Sequence, residues 1–120
     1  MSEFTALERA ALRAIFSENP DLESQLEAQA AKAIVIKREN TGGGFFTDIS
    51  IPEACGPISS KSPLGDCCYA KVDGLEHGLG LLLFLEEGRM TLLEGYAIAD
   101  ENTKPIDFGK VKFEITAAPT

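Results

Sequence analysis

Tryptophan is absent from this chain, histidine occurs once, and cysteine only three times in 120 residues. Cys55, Cys67, Cys68 and His77 fall into no C-x-x-C or C-x-x-H spacing, so a structural zinc site is disfavoured. Cys67 and Cys68 are neighbours, and adjacent strand residues point to opposite faces, which makes a bond between them geometrically poor. An odd cysteine count and this adjacency lead us to expect a reducing cytoplasm. Basic residues are also scarce. Eleven Lys and Arg stand against nineteen Asp and Glu, a formal net charge of -8. Duplex nucleic acid is held chiefly through its phosphates, so an acidic chain without a basic run is not expected to bind it. The same shortage argues against an anionic membrane surface. It favours solubility, or steering toward a basic partner. Long hydrophobic runs are missing too. The longest, Leu81 to Leu85, is far too short to cross a bilayer, and Met1-Ser2-Glu3-Phe4 has no signal-peptide character.

The usual catalytic signatures are lacking as well. Gly42-Gly43-Gly44 has no Gly-Lys-Ser/Thr ending and leads into a strand, so it reads as a turn needing positive φ, not a phosphate cradle. Ser59, Ser60 and Ser62 sit in no Gly-x-Ser-x-Gly elbow. His77 lies in the turn Gly74-Leu75-Glu76-His77-Gly78, where a single histidine is ordinarily exposed. No cofactor and no metal are implied, and the chain reads more as a non-enzyme than as an enzyme.

What is present suffices for one α+β domain spanning 1–120, with a helical hairpin over 1–32 and a sheet over 33–116. At 44% hydrophobic and 25% charged, the chain has the balance of a folding globular protein. Its length lets it bury roughly two-thirds of its unfolded surface. Thr5-Ala6-Leu7-Glu8 has capping-box spacing. Phe4, Leu7, Ala11, Ala14 and Ile15, widened by Leu12 and Phe16, then recur at helical spacing. Asn19 is the expected cap and Pro20 the first residue of a second helix, whose apolar stripe is Leu22, Leu26 and Ala30. From Ala33 the period becomes two. Strands are expected at Ala33 to Glu39, Gly44 to Ile51, Asp66 to Asp73, Leu81 to Glu86, Arg89 to Ile98 and Ile106 to Thr116. Glu87-Gly88 is the turn of a hairpin. Short connections favour a curved, mainly antiparallel sheet. The segment from Pro52 to Gly65 has no period, and a loop of that length is usually functional or mobile.

Thr41-Gly42-Gly43-Gly44-Phe45-Phe46-Thr47 and Leu92-Leu93-Glu94-Gly95-Tyr96 resemble segments of a family of small uncharacterised bacterial proteins. There a helical N-terminus precedes Gly-Phe-Phe-Thr, and Leu-Glu-Gly-Tyr follows a Gly-rich hairpin. The resemblance runs from Leu7 to about Asp100 and weakens after Tyr96, where Ala97-Ile98-Ala99-Asp100 departs from the family pattern. It implies a bacterial origin and no particular activity.

Two readings of function follow. Glu94 shares a strand face with Met90, Leu92, Tyr96 and Ile98, an apolar stripe with no evident use for a charge. If buried it needs a partner such as Arg38 or Lys37, or has a raised pKa and serves a ligand. Meanwhile Phe46, Tyr69, Leu82, Phe84 and Leu93 occupy the opposite faces of their strands, and a two-helix hairpin covers only one side of a sheet. Either the sheet curls to bury them, or the long loop or another molecule does. The leading expectation is a non-enzymatic protein-binding or accessory domain, whose partner is another protein or a second copy in a homodimer. The alternative is a small-molecule binder or enzyme with a pocket between the sheet and the 52–65 loop, lined by Glu94, Tyr96, Asp48 and Arg38.

Overall fold

A computed structural model describes residues 4–119. Helix α1, Ala6–Ser17, opens with the expected capping box: the Thr5 hydroxyl accepts from the Glu8 amide, and the Glu8 carboxylate accepts from the Thr5 amide. Phe4, Leu7, Ala11, Leu12, Ile15 and Phe16 are all buried, so the helical stripe is the stripe that enters the core. Asn19 does not cap a second helix. Its side-chain amide donates to the Ile15 carbonyl at 2.8 Å, which also accepts from the Glu18 amide, and so helps close the end of α1. Helix α2 starts later, at Glu23–Lys32, after a turn through Pro20 and without a side-chain cap. Leu26 is buried, with Leu22 and Ala30 packed beside it.

The six strands are β1 Ile34–Asn40, β2 Gly44–Ser50, β3 Tyr69–Val72, β4 Leu79–Glu86, β5 Arg89–Ala97 and β6 Phe113–Thr116. They form one open sheet in the order β1-β2-β5-β4-β3-β6, with every neighbouring pair antiparallel. The expected α+β architecture is therefore present. Glu87 and Gly88 both have positive φ, 52° and 78°, the geometry that lets a two-residue turn follow the twist of β4 and β5. The final strand is shorter than expected. Asp107 accepts from the Gly109 amide and, through its carbonyl, from Lys110 and Val111, so 106–111 winds into a turn that pairing cannot enter.

Phe45, Thr47 and Ile49 on β2, Leu79, Leu81 and Leu83 on β4, Leu93 on β5, and Ala70 and Val72 on β3 form the inner face beneath the helices. Gln29 is a buried polar pin. Its side chain donates to the Gly56 and Gly88 carbonyls and accepts from the Met90 amide, tying α2 to the loop and to the β4–β5 turn. The 52–65 loop runs along the edge of β4 where β3 has ended. Leu64 exchanges two backbone hydrogen bonds with Leu83, Ser62 accepts from Leu85, and the Ile58 amide donates to the Gly88 carbonyl. Among the described residues no helix is long and apolar enough to cross a membrane.

Leu83 is fully buried on the inner face, whereas Phe84 next to it is partly exposed on the outer one. Leu83→Ala should lower stability by about 3 kcal/mol in urea unfolding with an unchanged slope, and Phe84→Ala by less than about 1 kcal/mol. Equal losses would show that the outer face is covered.

Candidate functional site

The two segments that carry the family resemblance lie side by side. Gly44, Phe45, Phe46 and Thr47 are paired with Tyr96, Gly95, Glu94 and Leu93, residue against residue across β2 and β5. On the inner side the Phe45 ring lies over Gly95, where any Cβ would strike it. At Gly44 a Cβ would collide with the Gly95 carbonyl, and φ is +139°. The Gly80 Cα, on β4, carries the Tyr96 ring in the same manner on the outer side. Aromatic rings laid over glycines recover contact area that a glycine strand otherwise lacks.

The outer face thus presents Phe46 and Asp48 from β2, Leu92, Glu94 and Tyr96 from β5, Leu82 and Phe84 from β4, and Tyr69 from β3. Among the described residues every one of these side chains keeps solvent contact, and Phe46 is 36% exposed. The sheet does not close to cover them. Three expectations about β5 need correcting. Leu93 is fully buried and belongs to the inner face, and Leu92 takes the outer place expected for it. The cause is a bulge. Phe84 pairs with Leu92 but Leu85 with Met90, so Thr91 is the extra residue and Met90 turns inward. Ile98 leaves the strand for a single 3-10 turn, Ile98–Asp100.

Glu94 stands directly between Phe46 and Leu82 on the neighbouring strands. It has no ion pair among the described residues, and burial against this apolar surround pushes its carboxyl pKa up. Burial, Tyr69 and Glu94 likewise raise the Tyr96 phenol. Asp48 shares the face, across from Lys37.

Arg38, the fourth residue expected there, faces the other way. It is paired with Thr47 on the inner side, and its Nε donates to Glu8 at 2.8 Å. Glu8 was legible only as a helix cap, yet it is 3% exposed and accepts four hydrogen bonds. The Thr5 amide and Arg38 Nη2 reach Oε1, while Arg38 Nε and the Thr47 hydroxyl reach Oε2. Burial alone would raise this carboxyl. The Arg38 guanidinium, the Thr47 hydroxyl and the Thr5 amide outweigh it and hold the pKa below the ordinary 4.5. A threonine alternating with Phe45 and Ile49 on a buried face was the available signal, since a buried hydroxyl demands a partner. Beside this pair lies a cavity of about 330 Å³, bordered by Leu7, Arg38, Phe45, Asp107 and Phe108. The Phe45 and Phe108 rings are 5.1 Å apart at its base.

The remaining polar candidates are structural in their contacts. The His77 and Glu76 amides both donate to the Glu101 carboxylate, which those bonds hold below its usual pKa. Cys55, Cys67 and Cys68 are free thiols. Burial, reinforced by Glu18, pushes Cys68 up to about 12, so it is no thiolate nucleophile at neutral pH. Among the described residues no group of three or more His, Cys, Asp or Glu side chains is placed to hold a metal. No protein-family model matches the chain, and no curated protein or solved structure matches it either.

A depressed carboxyl pKa contributes stability above the unfolded value, and that contribution is lost as pH falls through the folded value. The Glu8 contribution should therefore be complete above about pH 4.5 and decline below it. Glu8→Gln leaves Arg38 facing a neutral amide, and because Arg38 is 43% exposed the loss should be intermediate, about 2 kcal/mol. Urea midpoints between pH 3 and pH 7 check this: the difference between the two proteins should shrink on acidification. A difference independent of pH would assign the cost to packing instead.

Proposed function

We propose that this chain is a non-enzymatic protein-binding domain that docks a partner on the outer face of its sheet. The observation that carries the reading is the row of partly exposed side chains, Phe46, Leu82, Phe84, Leu92 and Tyr96, on a face that no helix covers. Soluble chains seldom leave a contiguous apolar patch to water without a use for it. Aromatic side chains rimmed by charge are the composition of an interface core. The Glu8 carboxylate supports the non-enzymatic part of the reading, because both of its oxygens are already committed to holding the fold. The excess of acid over base favours a basic partner over a second copy. The free thiols suit a reducing cytoplasm, and the paired Gly-Phe-Phe-Thr and Leu-Glu-Gly-Tyr segments suit the bacterial family they resemble.

Affinity capture with the wild-type protein and with a Phe46→Ser/Leu92→Ser variant tests the reading. Both side chains are partly exposed, so the variant should fold, and it should lose the partner that the wild type retains. Equal recovery by the two proteins would place the contact elsewhere. A wild-type protein that captures nothing and elutes as a monomer at high concentration would defeat the proposal.

The cavity beside Arg38 favours a second reading, a small-molecule binder. Its volume lies at the lower end of ligand sites, and it combines apolar walls with charged residues, Glu8, Arg38, Glu39 and Asp107. In a fragment screen by NMR, ligands shifting the Phe45 and Phe108 amides but not those of Leu92 and Glu94 would support it.

A further inference from the structure

We propose that the outer face recognises an arginine side chain of its partner, with Glu94 as the receiving carboxylate between Phe46 and Tyr96. The inference rests on the docking role assigned to this face and names the chemistry of what docks there. Directly opposite residues on adjacent strands stand about 5 Å apart at Cβ, and next-but-one residues along a strand about 7 Å apart. Leu82 and Phe46 therefore flank Glu94 across the sheet, and Leu92 and Tyr96 flank it along β5. Four apolar or aromatic side chains surround one acid. Among the described residues that acid has no cationic partner, since the ion pairs of the structure join Arg38 to Glu8, Lys61 to Asp66 and His77 to Glu76.

Covering this face with an apolar surface would strip water from a carboxylate and return nothing, a costly arrangement. A cation on the partner turns the same burial into an attraction. Arginine suits the geometry better than lysine. Its planar fork can give two parallel hydrogen bonds to a carboxylate, while its flat face stacks on an aromatic ring. Phe46 and Tyr96 supply rings on two sides of Glu94. The wider charge pattern agrees. Across the face Glu39, Asp48, Glu94 and Glu114 outnumber Lys37 and Lys71, so a second copy would bring acid against acid with -8 on each chain.

Titration of the isotope-labelled full chain by NMR tests this, using acetylated and amidated Gly-Leu-Xaa-Leu-Gly peptides in which Xaa is arginine, citrulline or glutamate. Citrulline keeps the shape and loses the charge. The arginine peptide should shift the amides of Phe46, Leu92, Glu94 and Tyr96 saturably. The citrulline peptide should bind at least about ten-fold more weakly, and Glu94→Gln should erase that preference in a folded protein. If arginine and citrulline peptides bind alike and both are lost in Phe46→Ser, the arginine anchor is overturned while the docking face stands. If no peptide moves these amides, both fall. Shifts of the same amides with the protein's own concentration, without peptide, would show that the face pairs with itself and overturn the basic partner.

Discussion

A carboxylate withdrawn from water must find donors, and Glu8 finds them in three separate parts of the chain. One donor is its own helix cap at Thr5, one is Arg38 on β1, and one is Thr47 on β2. This node fixes the start of α1 against the inner side of the first hairpin. It thereby settles which face of the sheet the helices cover. The covered side receives Phe45, Ile49, Leu81, Leu83 and Leu93, and the apolar residues of opposite parity are left facing outward. The open face is a consequence of where one acid anchors the helix, together with the modest size of two helices of 12 and 10 residues.

The β2–β5 pair translates that choice into a surface. Because Phe45 lies over Gly95 on the inner side, the two strands approach closely and stay in strict register from Gly44 to Asp48. Register matters here because a slip of one residue would exchange the faces. With the register held, Phe46 and Glu94 become direct neighbours and Tyr96 folds over Gly80. A ring, an acid and a second ring are thus placed in order by backbone pairing alone. The Asn40–Thr103 contact steadies the same corner. Buried Thr103 accepts from the Gly44 amide and donates to Asn40, whose amide reaches the Thr103 and Ile106 carbonyls.

Much of this was legible in the residues. Helix α1 and strand β2 follow hydrophobic periods that depend only on local geometry, and the β4–β5 turn is marked by Gly88, a residue suited to positive φ. The alternation Phe45-Thr47-Ile49 against Phe46-Asp48-Ser50 gave the two faces of β2 correctly. Alternation misled in β5, because a bulge at Thr91 leaves no mark on composition and reverses the parity of what precedes it. Long-range partnerships were also hidden. Arg38 was matched with Glu94, an acid on the adjacent part of the sheet pattern. Its true partner, Glu8, lies thirty positions away in a helix cap, and nothing local distinguishes a cap that is also buried. The 52–65 loop likewise reads as unstructured, yet its Leu64 serves as an extra rung beside β4.

An exposed apolar face is useful only if it does not first recruit its own copies, and the sequence contains two devices against that. At the free edge, Ile34 and Ile36 are 55% and 67% exposed, which would make β1 an attractive template for another strand. The bulge at Ile36 interrupts the regular row of unpaired backbone groups, and Lys37, Arg38 and Glu39 follow it at once with charge. On the face itself, Glu94 occupies the middle of the apolar row. Two identical faces brought together would each bury an unmatched acid, whereas a face carrying a guanidinium would find that acid partly shielded from water and flanked by rings. On the proposed reading, the same side chain discourages self-pairing and rewards a basic partner. That is how a single charge in an apolar stripe produces specificity: it costs little while wet, and it divides partners by the sign of what they bring.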